Sequence, residues 1–187
     1  MFPGFPVGKP GNKVESNSYN KQQIELSAAT TQALQAIARQ ENITLNTIVQ
    51  GAWALLLSRY SSEENVIFGA VVSGRPPTLV GSESMVGLFI NTLPVCLQVE
   101  PETSVIAWLK QIQAQQTEVR EYEYAPLVEV QRWSDFPPGL PLFESILSFQ
   151  NYPVDFSTRS RGGNLEIPDI QTFAPTHYPL TVLVAVH

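Results

Sequence analysis

Between Leu45 and Tyr60 apolar residues recur at spacings of three and four. Leu45, Ile48, Val49, Ala52, Leu55, Leu56 and Tyr60 form the stripe, and Trp53 and Leu57 widen it. This predicts a helix opened by Thr44 and, given the breadth of the stripe, mostly buried. A shorter helix precedes it, with Ser27 as N-cap, Leu34, Ile37 and Ala38 as its buried face, and an end near Asn42. Lys21 to Leu26 reads as a short strand ahead of that helix. Val66 to Val72 is a continuous apolar run between Glu63-Glu64-Asn65 and Ser73-Gly74, the pattern of an interior strand covered on both faces.

From Leu88 to Val99 the pattern changes to alternation, with Leu93, Val95, Leu97 and Val99 on one face. Pro94 has no N–H to give to a ladder, so this strand is expected at an edge or with a bulge. Thr103 or Ser104 then opens a third helix, with Val105, Leu109, Ile112, Gln116 and Val119 on one stripe. It runs to about Tyr122, before Pro126 interrupts. Strands are expected at Ser145 to Gln150, Leu165 to Ile170 and Leu180 to Val186. Residues 1–18, rich in proline and glycine, read as a linker or N-terminal arm. With the last strand running straight into His187, the pattern reads as one lobe over 19–187, truncated at both ends.

Composition narrows the functions open to such a lobe. The chain has 187 residues, enough for one core, and its net charge of -6 with scattered basic residues argues against nucleic acid, whose phosphates call for clustered Lys and Arg. Only 15% of residues are charged, which implies that something else covers part of the surface. No apolar run approaches a membrane span and Met1-Phe2-Pro3-Gly4-Phe5 is not a signal peptide, so a cytoplasmic protein is expected. The single Cys96 reads as a small core residue of its strand.

The segment Met85-Val86-Gly87-Leu88-Phe89-Ile90-Asn91-Thr92-Leu93-Pro94 places a polar Asn-Thr pair inside an apolar strand just after a glycine. It resembles the Gly-x-Phe-Val-Asn-Thr signature of nonribosomal peptide synthetase condensation domains. Other stretches follow in that family's order. The helix around Gly51-Ala52-Trp53-Ala54-Leu55-Leu56-Leu57-Ser58-Arg59-Tyr60 comes first, then Asn65 to Gly69 and Ser73-Gly74-Arg75-Pro76. Tyr124-Ala125-Pro126-Leu127 is similar to a later Gln-Asp-x-Pro-Phe-Glu motif, although only Pro126 is kept cleanly. Pro141 to Glu144 and Phe149 to Pro153 resemble the strand beyond it. The family's His-His-x-x-x-Asp-Gly segment is missing, since His177 and His187 are the two histidines and are not adjacent.

The resemblance implies an α/β lobe of the chloramphenicol acetyltransferase type, also that of coenzyme A-dependent acyltransferases, with a mixed sheet backed by helices. It implies the C-terminal half of a domain that joins carrier-bound aminoacyl or peptidyl thioesters through an amide bond. Its partners would be the N-terminal lobe and peptidyl carrier proteins, with substrates on phosphopantetheine arms and no cofactor or metal bound directly. No catalytic residue is expected in this chain itself. Gly87, Asn91 and Thr92 would lie beside the substrate tunnel and Arg75 at the junction of the lobes. The Asn-Thr pair favours amide formation over the related epimerisation and heterocyclisation domains.

Each of these residues also has a structural reading. A buried carboxamide such as Asn91 must find partners and serves either a fold-locking bond or a site. Gly87 is expected to allow a bend or a close backbone approach. Arg75, emerging from a strand end, suits an ion pair either at the junction or with a local carboxylate. Arg159, Arg161, Gly162 and Gly163 form a loop able to meet a phosphate, with a solvated loop as the plainer reading. His177 reads as a surface or packing residue. Two other functions stay open: an inactive half-domain that docks carrier proteins, and a coenzyme A-dependent acyltransferase of the same fold.

Overall fold

The structure, a computed structural model, describes residues 20–75, 79–82, 84–137, 139–150 and 176–186. The expected 1–18 linker, the Leu165 to Ile170 strand and the loop with Arg159, Arg161, Gly162 and Gly163 lie outside the described residues. Helix α1 (Ala28–Glu41) starts at Ser27, whose side chain accepts from the Thr30 N–H, and stops at Asn42 in the left-handed conformation. Thr44 caps α2 (Leu45–Ser61) in the same way, through Thr47 N–H. Strands β1 (Asn65–Val72) and β2 (Asn91–Gln98) follow, then α3 (Val105–Val119), capped by Ser104 and extended by a 3-10 turn at Arg120–Tyr122. A short helix α4 (Leu127–Trp133), unforeseen in the sequence, precedes β3 (Ser145–Gln150) and β4 (Leu180–Ala185). Its few residues, with β-branched Val128 and Val130, leave too little periodicity to read.

The strands form one four-stranded mixed sheet in the order β2-β1-β3-β4, with β1 antiparallel to β2 and parallel to β3, and β3 parallel to β4. One face carries Val66, Phe68, Ala70, Val95, Leu97 and Leu147 and joins Ala38, Ile43, Ala54, Trp108, Leu109 and Ile112 of the helical layer in a single core. On the other face the Phe143 ring lies against Gly69, in the place a Cβ would need. Tyr178 stacks on Phe143 with centroids 5.4 Å apart.

β2 is an edge strand among the described residues, one of the two placements expected from Pro94. The Val99 N–H donates to the Glu64 carbonyl at 2.7 Å, on the register that pairs Asn65 with Gln98. Bonded and non-bonded pairs alternate in an antiparallel ladder, so Gly69↔Pro94 falls on a non-bonded pair and the missing N–H removes no ladder bond. The same parity points the carbonyls of Cys96 and Gln98 outward. Gln115 Nε2 and Trp108 Nε1 of α3 donate to them at 2.9 and 2.7 Å. Side chains thus occupy an edge that would otherwise invite another strand.

Several expectations need correction. Lys21 to Leu26 forms no strand, and Ile24 and Leu26 are exposed. β2 begins at Asn91, three residues later than expected. In α2 the buried residues are Thr47, Gln50, Gly51 and Ala54, while Leu56 and Tyr60 are exposed. The reason is tertiary: Leu109 lies where a side chain at Gly51 would begin, so small and polar residues admit α3 to that face. Polar side chains of that face pair with α3. Gln113 Oε1 accepts from Thr44 N–H at 2.8 Å and from the Thr47 hydroxyl at 3.0 Å, and Gln116 Nε2 donates to Gln50 Oε1 at 2.7 Å. Cys96 is exposed on the outer face of β2, not in the core.

Candidate functional site

β2 starts where the long 79–90 segment turns into the sheet, and Asn91 is its first residue. Its carboxamide is fully used. Nδ2 donates to the carbonyls of Glu123 at 2.9 Å and Ala125 at 2.8 Å, while Oδ1 accepts from the Thr92 N–H at 2.9 Å. The Thr92 N–H points outward from the ladder, so Oδ1 also satisfies an edge group. Asn91 therefore ties the head of β2 to the turn before α4. That turn holds Tyr124-Ala125-Pro126-Leu127, to which the sequence pattern assigned no role. Two stretches 32 residues apart meet at one side chain.

Thr92 is half-buried, and its hydroxyl has no partner among the described residues. It lies on the face opposite Leu93 and Val95. Gly87 is exposed, and a Cβ there would meet only the Phe89 ring, at 3.3 Å. The glycine that a close approach demands is Gly74 instead: φ is +62°, and a Cβ would fall onto the Phe89 carbonyl. Its position right after the apolar β1 run was the available signal. Arg75 donates to backbone carbonyls, from Nη1 to Ser82 and from Nη2 to Met85 at 3.0 Å, and its guanidinium lies 4.2 Å from the Phe89 ring centroid. Among the described residues no carboxylate pairs with it.

Apolar side chains surround this junction without cover from the described residues. Leu88 is 94% exposed, Ile90 58% and Tyr124 80%. Two concavities among the described residues lie elsewhere. One of about 400 Å³ sits between the end of α2 and the start of α3, and another adjoins α4; Arg75, Gly87, Asn91 and Thr92 line neither. Among the described residues no His, Cys, Asp and Glu gather in a group able to hold a metal ion. His177 is exposed and rests against Tyr178, with centroids 4.2 Å apart. Burial pushes the Tyr178 hydroxyl above its ordinary pKa. Desolvation likewise raises the Cys96 thiol, which disfavours a nucleophilic thiolate. Among the described residues no helix is long and apolar enough to cross a membrane.

A mixed sheet with helices in this arrangement defines a lobe of the coenzyme A-acyltransferase-like fold, shared with solved condensation domains. A four-domain nonribosomal peptide synthetase bound to AMP and glycine superposes with a TM-score of 0.60 over 68% of this chain and 10% of its own, at 19% identity, which speaks to the fold alone. The condensation domain family model matches residues 5–185. The chain belongs to the condensation domain family of nonribosomal peptide synthetases. It is 53% identical over 174 residues to a linear gramicidin synthase of Brevibacillus parabrevis, covering 92% of this chain and 3% of the relative. It is 49% identical over 160 residues to chondramide synthase cmdD of Chondromyces crocatus, covering 86% of this chain and 4% of the relative. The chain thus spans a small fraction of the curated relatives it matches. These likenesses support a condensation domain and neither the docking half-domain nor the free acyltransferase.

Proposed function

We propose that this chain is the C-terminal lobe of an amide-forming condensation domain and that residues 19–187 work together with an N-terminal lobe and peptidyl carrier proteins. In this reading the amine of an acceptor aminoacyl thioester attacks the carbonyl of a donor thioester. The amide C–N bond forms, the donor C–S bond breaks, and the thiol of the donor's phosphopantetheine arm leaves. The His-His-x-x-x-Asp-Gly segment, with the histidine that positions or deprotonates the amine, belongs to the other lobe. The observation that carries the reading is the anchored head of β2. Asn91 Nδ2 holds the strand to the 123–125 turn and Oδ1 accepts from the Thr92 N–H, while the adjoining Thr92 hydroxyl has no partner among the described residues. Gly87, Asn91 and Thr92 shape the tunnel wall, and Arg75 stands behind them at the lobe junction. The reaction is placed in the cytoplasm, and no cofactor is bound directly.

The Thr92 hydroxyl is a candidate donor to the oxyanion that develops on the donor carbonyl. The experiment supplies the intact domain with donor and acceptor loaded on carrier proteins and follows the dipeptidyl thioester by mass spectrometry. Amide formation by the intact domain and none by this chain alone is the expected result. Thr92→Val, which keeps the shape and removes the hydroxyl, should lower turnover by about a hundredfold to a thousandfold if that donor acts in the transition state. Unchanged turnover removes the hydroxyl from the chemistry. Transfer from free coenzyme A thioesters with none from carrier-bound donors would overturn the reading.

A further inference from the structure

Segment 79–90 contains neither helix nor strand among its described residues, yet it delivers Asn91 to a defined place at the head of β2. Its first part is a tight turn, with Ser82 N–H donating to Leu79 and Ser84 N–H to Gly81. Beyond Ser84 its fastening comes from the residues just after β1. The Arg75 fork reaches the carbonyls of Ser82 and Met85, and the flat face of the same guanidinium covers the Phe89 ring. Gly74, at φ +62°, brings its backbone against the Phe89 carbonyl. One side chain therefore grips the segment at positions 82, 85 and 89. A guanidinium combines in-plane donors with a stacking face, whereas an ammonium is a point charge with neither.

We propose that Arg75 is a positioning residue, a clamp that sets the path of 84–90 and so fixes where Asn91 and Thr92 stand and which apolar side chains face outward. With Phe89 drawn under the guanidinium, its neighbours Leu88 and Ile90 turn to the open side. Arg75 touches no reacting group in this scheme. It acts through backbone carbonyls and one ring. The effect on turnover rests on the proposed amide-forming reading; the clamp itself does not.

The test compares wild type, Arg75→Lys and Phe89→Leu in the intact condensation domain, by amide hydrogen exchange and by kinetics with carrier-bound substrates. Arg75→Lys keeps the charge but loses the fork and the face. Exchange across 84–90 should rise at least tenfold, that of β1 and α3 should stay as in wild type, and kcat should fall at least fivefold with KM changed less than twofold. Phe89→Leu leaves the carbonyl bonds in place and should loosen the segment less. It also carries the test should Arg75→Lys fail to fold. Unchanged exchange at 84–90, an equal rise throughout the chain, or a loosened segment with unaltered kcat overturns the proposal. A wild-type domain that forms no amide, while exchange behaves as expected, overturns the functional reading and leaves the clamp standing.

Discussion

Asn91 and Gly74 bear different kinds of local constraint, and each predicts a distinct response to substitution. Asn91→Ala leaves the Glu123 and Ala125 carbonyls and the outward Thr92 N–H without their partner. A loss of about 1–3 kcal/mol in urea unfolding is expected. Asn91→Asp should cost at least as much, because a carboxylate set against two carbonyl oxygens replaces a donor with an acceptor. An Asn91→Ala variant as stable as wild type would show that water satisfies these groups. Gly74→Ala adds a Cβ that meets the Phe89 carbonyl at a left-handed φ. It should destabilise by about 1–3 kcal/mol, whereas Gly87→Ala, in exposed chain, should change stability by less than about 0.5 kcal/mol. Comparing the two midpoints checks which glycine is structurally required. The motif containing Asn91 was legible in the sequence, but its partners were not, since backbone carbonyls 32 and 34 residues away carry no residue-type signal.

At the scale of elements, α3 does more than bury Trp108, Leu109 and Ile112. Its glutamines secure the other elements: Gln113 holds the α1–α2 turn, with Nε2 donating to the Asn42 carbonyl at 2.8 Å and Oε1 accepting from Thr44 and Thr47, and Gln115 serves the edge of β2. Gln113→Ala should lower stability by about 1–3 kcal/mol and speed exchange at the start of α2 before that of β1. Uniform loss of protection would contradict this local role. The starts of α1, α2 and α3 were readable because Ser27, Thr44 and Ser104 each accept a backbone N–H within their own first turn. The buried face of α2 was misread because a helix apolar nearly all round does not say which side meets a neighbour. Gly51 decided it, by admitting Leu109.

For the whole molecule, the row of exposed apolar residues around Leu88 and Ile90 beside Tyr124 predicts association when the chain is expressed alone. Leu88→Glu with Ile90→Lys should reduce self-association in sedimentation velocity without lowering the thermal midpoint, since neither side chain is in the core. A fall in the midpoint of several degrees would mean that these residues support the fold. On the proposed two-lobe reading, the same double variant should weaken binding to a separately produced N-terminal lobe. Unaltered binding would place the lobe contact on another surface.

The capped helices, the interior placement of β1, the edge placement of β2 and, through ordered motifs, the condensation domain family were all written in the amino-acid order. These are local or ordered signals: a cap, a run, a proline without an N–H, a series of short segments in fixed succession. Packing alone settled that Asn91 joins two distant motifs, that Gly74 rather than Gly87 is the constrained glycine, that Arg75 turns onto carbonyls, and that Cys96 faces outward. Each of these depends on which backbone groups and side chains the packed sheet and helices bring within hydrogen-bonding or van der Waals distance. That is a property of register and packing, and no spacing along the chain encodes it.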